Sequence, residues 1–550
     1  MKVTTYHMNS ADIFHIQIDE TCRQNCLYAN GIGCLAPAAR GLVDFRRSLQ
    51  KAKAGNFSTV QFPCNFEDSK APEVWIQTAI EHGFKVLLQI NLTRVLAQLT
   101  IGSPPASIFL QAGVQLNLLI AEFDLRLVPH ILQIEEKYQI RKVSILVTKD
   151  EIPSVDFLRK LHSVFSDRIE FHFPLPVRLD SPFLKTKKVY KLVKQWRNEV
   201  PELKVQGPQG HDLHEPRAHP LAEFVPLLEP LLQTESTVKA PIKLSFVIPT
   251  YNQSGPVTRT LQHIAMQNLP PEFYEVVLVD DGGSDDLWST LEVELQAWRG
   301  RRNFRGFRFP RLKDRQMGDS GFRAGVARNV GAQHSRGEAL AFLDADILVP
   351  KNYATQILLE LENADLVQCR RLELSEKFTQ SGSSMDRVDP RRDLVNFENR
   401  YWGRFYASAH EWNRLPAAWK YVCTHSLSVH RQTFLRLGGF RRNYVFYGFE
   451  DTDFGYRLQK AGGKFHLSQL QVHHQFHPVS RSEFSANAIR REEVLSKTAK
   501  TFFLNNLDPE IFESLYSLVG KGFNLFEYWM YFRSQWPRSK RKSHQNSGLN

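Results

Sequence analysis

Apolar and polar positions along this chain fall into two stretches of strand-helix-strand rhythm, separated by a proline-rich interruption. Near the start, Phe14-His15-Ile16-Gln17-Ile18 alternates as a half-buried strand does, and Thr59-Val60-Gln61-Phe62 follows as a second strand. An amphipathic helical pattern from Glu73 to His82 stops at Gly83, and Lys85-Val86-Leu87-Leu88-Gln89-Ile90 is the next predicted strand, ending at Asn91. Strands are predicted again at Gln115 to Ile120, Lys142 to Val147 and Ile169 to Phe173, with helical stretches between them. This alternation argues for a parallel sheet or a barrel.

The rhythm breaks over residues 206–241, which hold Gly207, Pro208, Gly210, Pro216, Pro220, Pro226, Pro230 and Pro241 and are expected to be a linker. It resumes with the strand Lys243 to Ile248, closed by Pro249-Thr250-Tyr251-Asn252, and a helix from about Val257 to Gln267. The strand Glu275 to Val279 then runs into Asp280-Asp281-Gly282-Gly283. A helix around Gly325 to His334 precedes Ala339-Leu340-Ala341-Phe342-Leu343, a fully apolar run that ends in Asp344-Ala345-Asp346. Five consecutive apolar residues suit a strand buried on both faces, and ligands of open α/β sheets gather at the carboxyl ends of such strands. The division expected is 1–205, 206–241, 242–490 and 491–550, the last a helical extension with a basic tail.

Composition narrows the picture only in places. A chain of 550 residues is too long for one core. No run of about 18 apolar residues occurs, and the first residues lack a signal-peptide core, so a cytoplasmic protein is expected. Six cysteines, three of them at positions 22, 26 and 34, do not resemble a disulfide framework. The net charge of +12 favours anionic partners such as nucleotide phosphates or anionic lipid. Phe523, Phe526, Trp529, Tyr531, Phe532 and Trp536 precede the tail Pro537-Arg538-Ser539-Lys540-Arg541-Lys542. That end of the chain is expected either to touch a membrane surface peripherally or to be a docked helix with a solvated end.

Five short motifs in order, Ile248-Pro249-Thr250-Tyr251-Asn252, Val279-Asp280-Asp281-Gly282, Ala327-Arg328-Asn329-Val330-Gly331, Leu343-Asp344-Ala345-Asp346 and Gly438-Gly439-Phe440 through Gly448-Phe449-Glu450-Asp451-Thr452-Asp453, resemble the family 2 glycosyltransferases of GT-A fold. The resemblance implies a nucleotide-diphospho-sugar transferase fold, with metal-dependent and inverting transfer of a sugar from a nucleotide-sugar donor, UDP-sugar favoured, to a glycan, lipid-linked or protein hydroxyl. Hard oxygen ligands would hold a divalent cation, Mn²⁺ or Mg²⁺, against the donor diphosphate. The implied ligands are Asp346 and a histidine of Val472-His473-His474-Gln475-Phe476-His477, with His474 matching chondroitin-polymerase-like members best and His473 and His477 next. Asp344 and Ala345 are assigned to the ribose and phosphate side, and Pro249, Thr250, Tyr251, Asp280 and Asp281 to the base and ribose. Arg328 is assigned to the diphosphate or base, or else to a surface ion pair. Glu450-Asp451 opens a helix, where acids also serve as caps; the resemblance gives Asp451 the role of general base and Glu450 that of binding acceptor hydroxyls. Trp412, Trp419 and His425 are candidates for an acceptor pocket, with core packing the alternative for the tryptophans.

The N-terminal stretch is similar in rhythm to the partial β/α barrel of radical SAM proteins. Cys22 and Cys26 occupy the first two places of a Cys-x-x-x-Cys-x-x-Cys motif, but Ala29 holds the third and Cys34 comes five residues later. Phe62-Pro63-Cys64-Asn65-Phe66-Glu67-Asp68 stands where that family has a Gly-Gly-Glu-Pro loop. The expectation is a radical SAM-like barrel without its iron–sulfur cluster. The histidines His211, His214 and His219 are read as solvated linker residues. Two alternatives accompany the transferase reading: a bifunctional radical SAM/glycosyltransferase enzyme, and a non-catalytic polyanion-binding protein. Nucleic acid is not the expected partner.

Overall fold

The structure, a computed structural model, describes residues 13–15, 17–18, 38–39, 45–47, 49–50, 53, 58–62, 72–92, 114–120, 123–137, 140–147, 152–172, 186–203, 205, 229–309, 324–382, 385–395, 405–406, 409–415, 417–441, 444, 448–477 and 498–515. Cys22, Cys26, Cys34, Cys64, the linker histidines, the aromatics from Phe523 to Trp536 and the basic tail lie outside the described residues.

The N-terminal strands form one parallel sheet. β1 (Ile13–His15), β4 (Thr59–Phe62), β5 (Lys85–Asn91), β6 (Val114–Ile120), β7 (Ile140–Leu146) and β8 (Ile169–His172) lie side by side in that order. The two-residue strands β2 (Gln17–Ile18) and β3 (Ala38–Ala39) pair separately. A parallel sheet in sequence order is what repeated strand-helix-strand units produce, each crossover helix covering a face. The helices Pro72–Glu81, Val128–Lys137, Val155–Phe165 and Thr186–Glu199 supply that cover. Val155–Phe165 shows how locally this is specified: the Ser154 side chain caps the Phe157 amide at 3.2 Å, and Phe157, Leu158, Leu161 and Phe165 are buried.

The C-terminal unit is mixed α/β. Its sheet has the order β14 (Ile347–Leu348), β18 (Phe465–His474), β15 (Leu366–Leu374), β17 (Ser426–His430), β13 (Ala339–Leu343), β10 (Leu244–Thr250), β11 (Tyr274–Asp280), β12 (Asn303–Arg308) and β9 (Glu229–Thr234), with β16 (Leu394–Val395) pairing β15 off this path. β10 pairs in parallel with β11 on one side and β13 on the other, so the strand order reverses at β10. This opens a crevice at the carboxyl ends of β10, β11 and β13. All three strands are buried along their full length, including the polar Ser245, Thr250, Glu275 and Asp280 that interrupt the apolar runs of β10 and β11.

β9 revises the expected linker of 206–241, because Glu229–Thr234 joins the sheet antiparallel to β12. Pro230 is tolerated there since β9 is an edge strand and Pro230 sits opposite Phe307, where the register shifts. Helical residues 498–506 and the helix Pro509–Leu515 form the part of the expected C-terminal extension that is described. No helix among the described residues is long and apolar enough to cross a membrane.

The helix Ala324–His334 carries the Arg328 motif across the back of β10 and β11. Gly331 lets it approach: a Cβ there would overlap the Val247 methyl Cγ1 on β10. Gly331→Ala is therefore expected to cost about 1–3 kcal/mol through overpacking. Thermal unfolding of the purified variant should show a lowered midpoint, and an unchanged midpoint would refute the close-approach account.

Candidate active site

Asp344, Ala345 and Asp346 form the turn between β13 and β14, with the Ile347 N–H on the Asp344 carbonyl at 3.2 Å. β14 pairs antiparallel with the end of β18, setting Ile347 against His474. The backbone N–H of Gln475 bonds the Asp346 carbonyl at 2.9 Å, which seats the chain leaving β18 beside the acid. Asp346 Oδ2 lies 3.2 Å from His474 Nε2 and 2.9 Å from His477 Nε2. His474 Nδ1 in turn meets Glu373 Oε2 at 2.7 Å, and Glu373 pairs with Arg371 at 2.6 Å.

Burial pushes the Asp346 carboxyl up, yet the two imidazoles outweigh it and hold Asp346 well below the usual carboxylate range. His474 shows the converse: burial opposes its charge, but Asp346 and Glu373 raise it to about 10. Glu373, despite its own burial, is held at about 2 by Arg371 and His474.

One carboxylate and two imidazoles, with ligand atoms all within 4.8 Å of one another, suit a first-row divalent cation. Two observations support that fit. Asp346 Oδ1 is buried with no hydrogen-bond partner among the described residues. The second ring nitrogen of His474 is fixed by a carboxylate, the usual arrangement behind a metal-binding histidine. His473 faces elsewhere; burial and nearby His263 lower it to about 4.

Across the crevice, Glu450 and Asp451 open the helix Glu450–Lys460. Arg328 joins the two sides, with Nη2 2.6 Å from Asp344 Oδ1 and Nη1 3.5 Å from Glu450 Oε1. It is a buried bridge between acids, which corrects the alternative of a surface ion pair and also means that its visible partners are carboxylates. Burial, with Asp451 adding repulsion, raises Glu450 to about 8 against the pull of Arg328. Asp451 is likewise raised, by burial first, although its Oδ1 accepts the Thr452 N–H at 2.7 Å. Glu450 Oε2 is buried without a hydrogen-bond partner among the described residues.

The remaining predicted residues divide. Thr250 Oγ1 is buried without a hydrogen-bond partner among the described residues, and Tyr251 is exposed at the rim. Asp281 is buried, its N–H on the Thr250 carbonyl at 2.8 Å. Pro249 is buried within β10, opposite Val279. Asp280 departs from a free nucleotide acceptor: its Oδ1 takes the Gly283 N–H at 2.7 Å and its Oδ2 the Trp288 indole N–H at 2.8 Å, so it first organises its own loop. Ala345 packs into the core and its carbonyl accepts the Thr260 hydroxyl at 2.9 Å, which turns it from the donor side.

Trp412 and Trp419 are core residues and not acceptor-lining faces. The first donates to the Ala418 carbonyl, and the second is enclosed by Tyr456 and Phe502. His425 is buried against the Cys369 carbonyl, and burial lowers it to about 4. Sequence reasoning missed Glu373 and Arg371, which carry only the alternation of a strand as a signal. It ranked His477 behind His474, whereas the fold brings both to Asp346.

Comparison with known proteins gives two family matches. Residues 245–421 match the model "Glycosyl transferase family 2", and residues 403–480 match "N-terminal domain of galactosyltransferase". Within the C-terminal half, residues 245–421 are thus similar to the family 2 glycosyltransferases. Among curated relatives, the validoxylamine A glucosyltransferase of Streptomyces hygroscopicus subsp. limoneus is 29% identical over 259 residues, 45% of this chain and 53% of that protein. The Staphylococcus aureus (strain Mu50) poly(ribitol-phosphate) beta-N-acetylglucosaminyltransferase TarS is 32% identical over 110 residues, 20% of this chain and 17% of that protein. The chain spans about half the length of the validoxylamine glucosyltransferases it matches. Among solved structures, the mannosyltransferase PcManGT of Pyrobaculum calidifontis, in complex with GDP-Man and Mn²⁺, aligns at a TM-score of 0.34 and 17% identity over 57% of this chain and 78% of that one.

Mn²⁺ binding, read by calorimetric titration, is expected to weaken at least about tenfold in both Asp346→Asn and His477→Ala. Undiminished affinity in the two variants would remove the cation from this triad. A second expectation follows from Glu450. Its raised value means the folded protein keeps a proton that the unfolded chain has lost, so its contribution makes stability fall as the pH rises from about 5 to about 8. Glu450→Gln should abolish that contribution, and its unfolding midpoint should gain on the wild type across this range. Parallel profiles would show that Glu450 is ionised throughout.

Proposed function

We propose that this chain is a metal-dependent, inverting glycosyltransferase that moves a sugar from a nucleotide-sugar donor to an acceptor hydroxyl. The observation that carries the reading is the pairing of two unlike carboxylate sites at one sheet end. Asp346 is held charged beside two histidines, while Glu450 and Asp451 are held toward their protonated forms on the facing helix. The family 2 match over residues 245–421 supports the same chemistry, and relatives named as glucosyl- and N-acetylglucosaminyltransferases favour a hexose donor.

In this reading Asp346, His474 and His477 hold the divalent cation, Mn²⁺ or Mg²⁺, which when bound neutralises charge on the donor diphosphate. Thr250, Tyr251 and Asp281 line the nucleoside end of the crevice, and Arg328 keeps Asp344 and Glu450 at a fixed separation. Asp451 takes the acceptor proton as the acceptor oxygen forms its bond to the anomeric carbon. The bond from that carbon to the diphosphate oxygen breaks on the opposite side, and its electron pair leaves with the nucleoside diphosphate. The raised value of Asp451 suits a base, because a carboxylate that holds a proton more tightly removes one more readily. Glu450, with one unpartnered oxygen, orients the acceptor. The N-terminal sheet serves as a scaffold of radical SAM-like rhythm that works without a cluster, and the enzyme acts in the cytoplasm, at or near a membrane surface.

A screen of UDP- and GDP-sugars for Mn²⁺-dependent donor hydrolysis tests this directly. The wild type is expected to turn over one donor, and Asp346→Asn to lose that turnover. Asp451→Asn should lower transfer by about 10²–10⁴-fold while donor affinity is retained. Absence of turnover with every donor would defeat the proposal, and full transfer by Asp451→Asn would defeat the base assignment.

A further inference from the structure

The helix that carries Glu450 and Asp451 begins under backbone strain. Phe449, the residue before it, is buried and left-handed, with φ +72°, directly after Gly448 at φ +95°. A bulky residue in that region persists only where its surroundings force it. The surroundings here come from residues 498–515, well beyond the family-matched stretch.

Phe502 packs against Phe449 at 6.1 Å between ring centroids, and against Tyr456 and Trp419 at 5.7 and 5.2 Å. Four residues later, buried Asn506 reaches the underside of the same helix. Its Nδ2 donates to Asp453 Oδ1 at 2.7 Å, and its Oδ1 accepts from Arg441 Nη1 at 3.1 Å. Asp453 is also bound by Arg441 and by Arg457, each at 2.9 Å, and Arg457 Nη2 donates to the Gly439 carbonyl at 2.6 Å. Further along, Asp508 accepts from the Tyr456 hydroxyl and pairs with Lys460 at 3.1 Å, while Glu510 meets Lys460 at 2.7 Å and the Trp419 indole at 3.3 Å.

The other side of this segment grips the N-terminal unit. Glu513 accepts from the Tyr190 hydroxyl at 2.7 Å and pairs with Lys194 at 2.8 Å. Phe512 stacks on Tyr190 at 4.3 Å, and Arg197 Nη2 donates to the Leu507 carbonyl at 3.3 Å.

We infer that residues 498–515 are a strap that holds Phe449 in its left-handed conformation and so aims Glu450 and Asp451, with Phe502 and Asn506 as positioning residues and the helix Thr186–Glu199 as anchor. The inference that aiming matters for turnover rests on the transferase reading; the mechanical link does not. Removing the ring at 502 frees Phe449 to relax, and removing the amide at 506 leaves Asp453 to its arginines alone. Neither change touches the donor side.

The test uses the full chain carrying Phe502→Leu, Asn506→Ala, or the anchor-side pair Tyr190→Phe with Glu513→Gln. Hydrogen–deuterium exchange over residues 448–454 is expected to quicken about tenfold, with β10 unchanged as the sign that the fold survives. The turnover number should fall about tenfold at saturating acceptor, with UDP affinity in Mn²⁺ within about twofold of wild type. Unchanged exchange over 448–454 in all three variants overturns the strap. Quickened exchange with full turnover overturns its role in aiming the acids. A wild type that transfers no sugar defeats the transferase reading instead, and the exchange result then decides the strap by itself.

Discussion

Several carboxylates are drawn to one end of one sheet, and the cost of withholding them from water governs what surrounds them. On the β13–β14 turn the solution is cationic: two imidazoles face Asp346, and a Glu373–Arg371 pair stands behind the first of them. On the facing helix the only cation paired with Glu450 among the described residues is Arg328, which is shared with Asp344. The outcome is two environments that push acids of similar intrinsic strength in opposite directions, Asp346 below the usual carboxylate range and Glu450 above it. Neighbouring acids whose environments push them apart in this way can hold different protonation states at one pH.

The third acid of the helix, Asp453, follows a different rule. It is wholly buried and neutralised by Arg441 and Arg457, with Asn506 completing its shell. A buried ion pair contributes little net stability, but a half-removed one is costly, so such a cluster fixes geometry more than it adds stability. Here it fixes the helix whose first turn carries Glu450 and Asp451.

Much of this was legible in the sequence because strand and turn chemistry are local. Apolar runs such as Ala339 to Leu343 announced buried strands, and acids at their tips announced the crevice. Asp346, Glu450 and Asp451 stand out in the sequence as candidates, and the structure links the Asp344–Asp346 turn to the helix of Glu450 through Arg328. What escaped depends on side-chain contacts that strand and turn patterns do not encode. Glu373 is an ordinary strand glutamate until β15 pairs with β18 and sets it opposite His474. Asp280 looks like a free acceptor until Trp288 reaches back to it. Trp412 and Trp419 have the composition of a sugar-stacking surface, and only tertiary packing places them inside. The prolines of 206–241 suggest a linker or irregular connecting segment, whereas an edge strand accepts Pro230 without losing a needed hydrogen bond.

The path of the chain carries a last consequence. It builds the parallel sheet, crosses to the mixed sheet, and comes back with residues 498–515 to lie against the helix Thr186–Glu199. Trp419, Tyr444, Phe449 and Tyr456 of the C-terminal half therefore belong to the same apolar cluster as Val60, Val86 and Ile145 of the first sheet. A cut placed at the proline-rich stretch would divide the sequence cleanly and the hydrophobic core badly. The C-terminal half is not a portable module: grafted elsewhere, it would carry a bare aromatic face beneath its own acids.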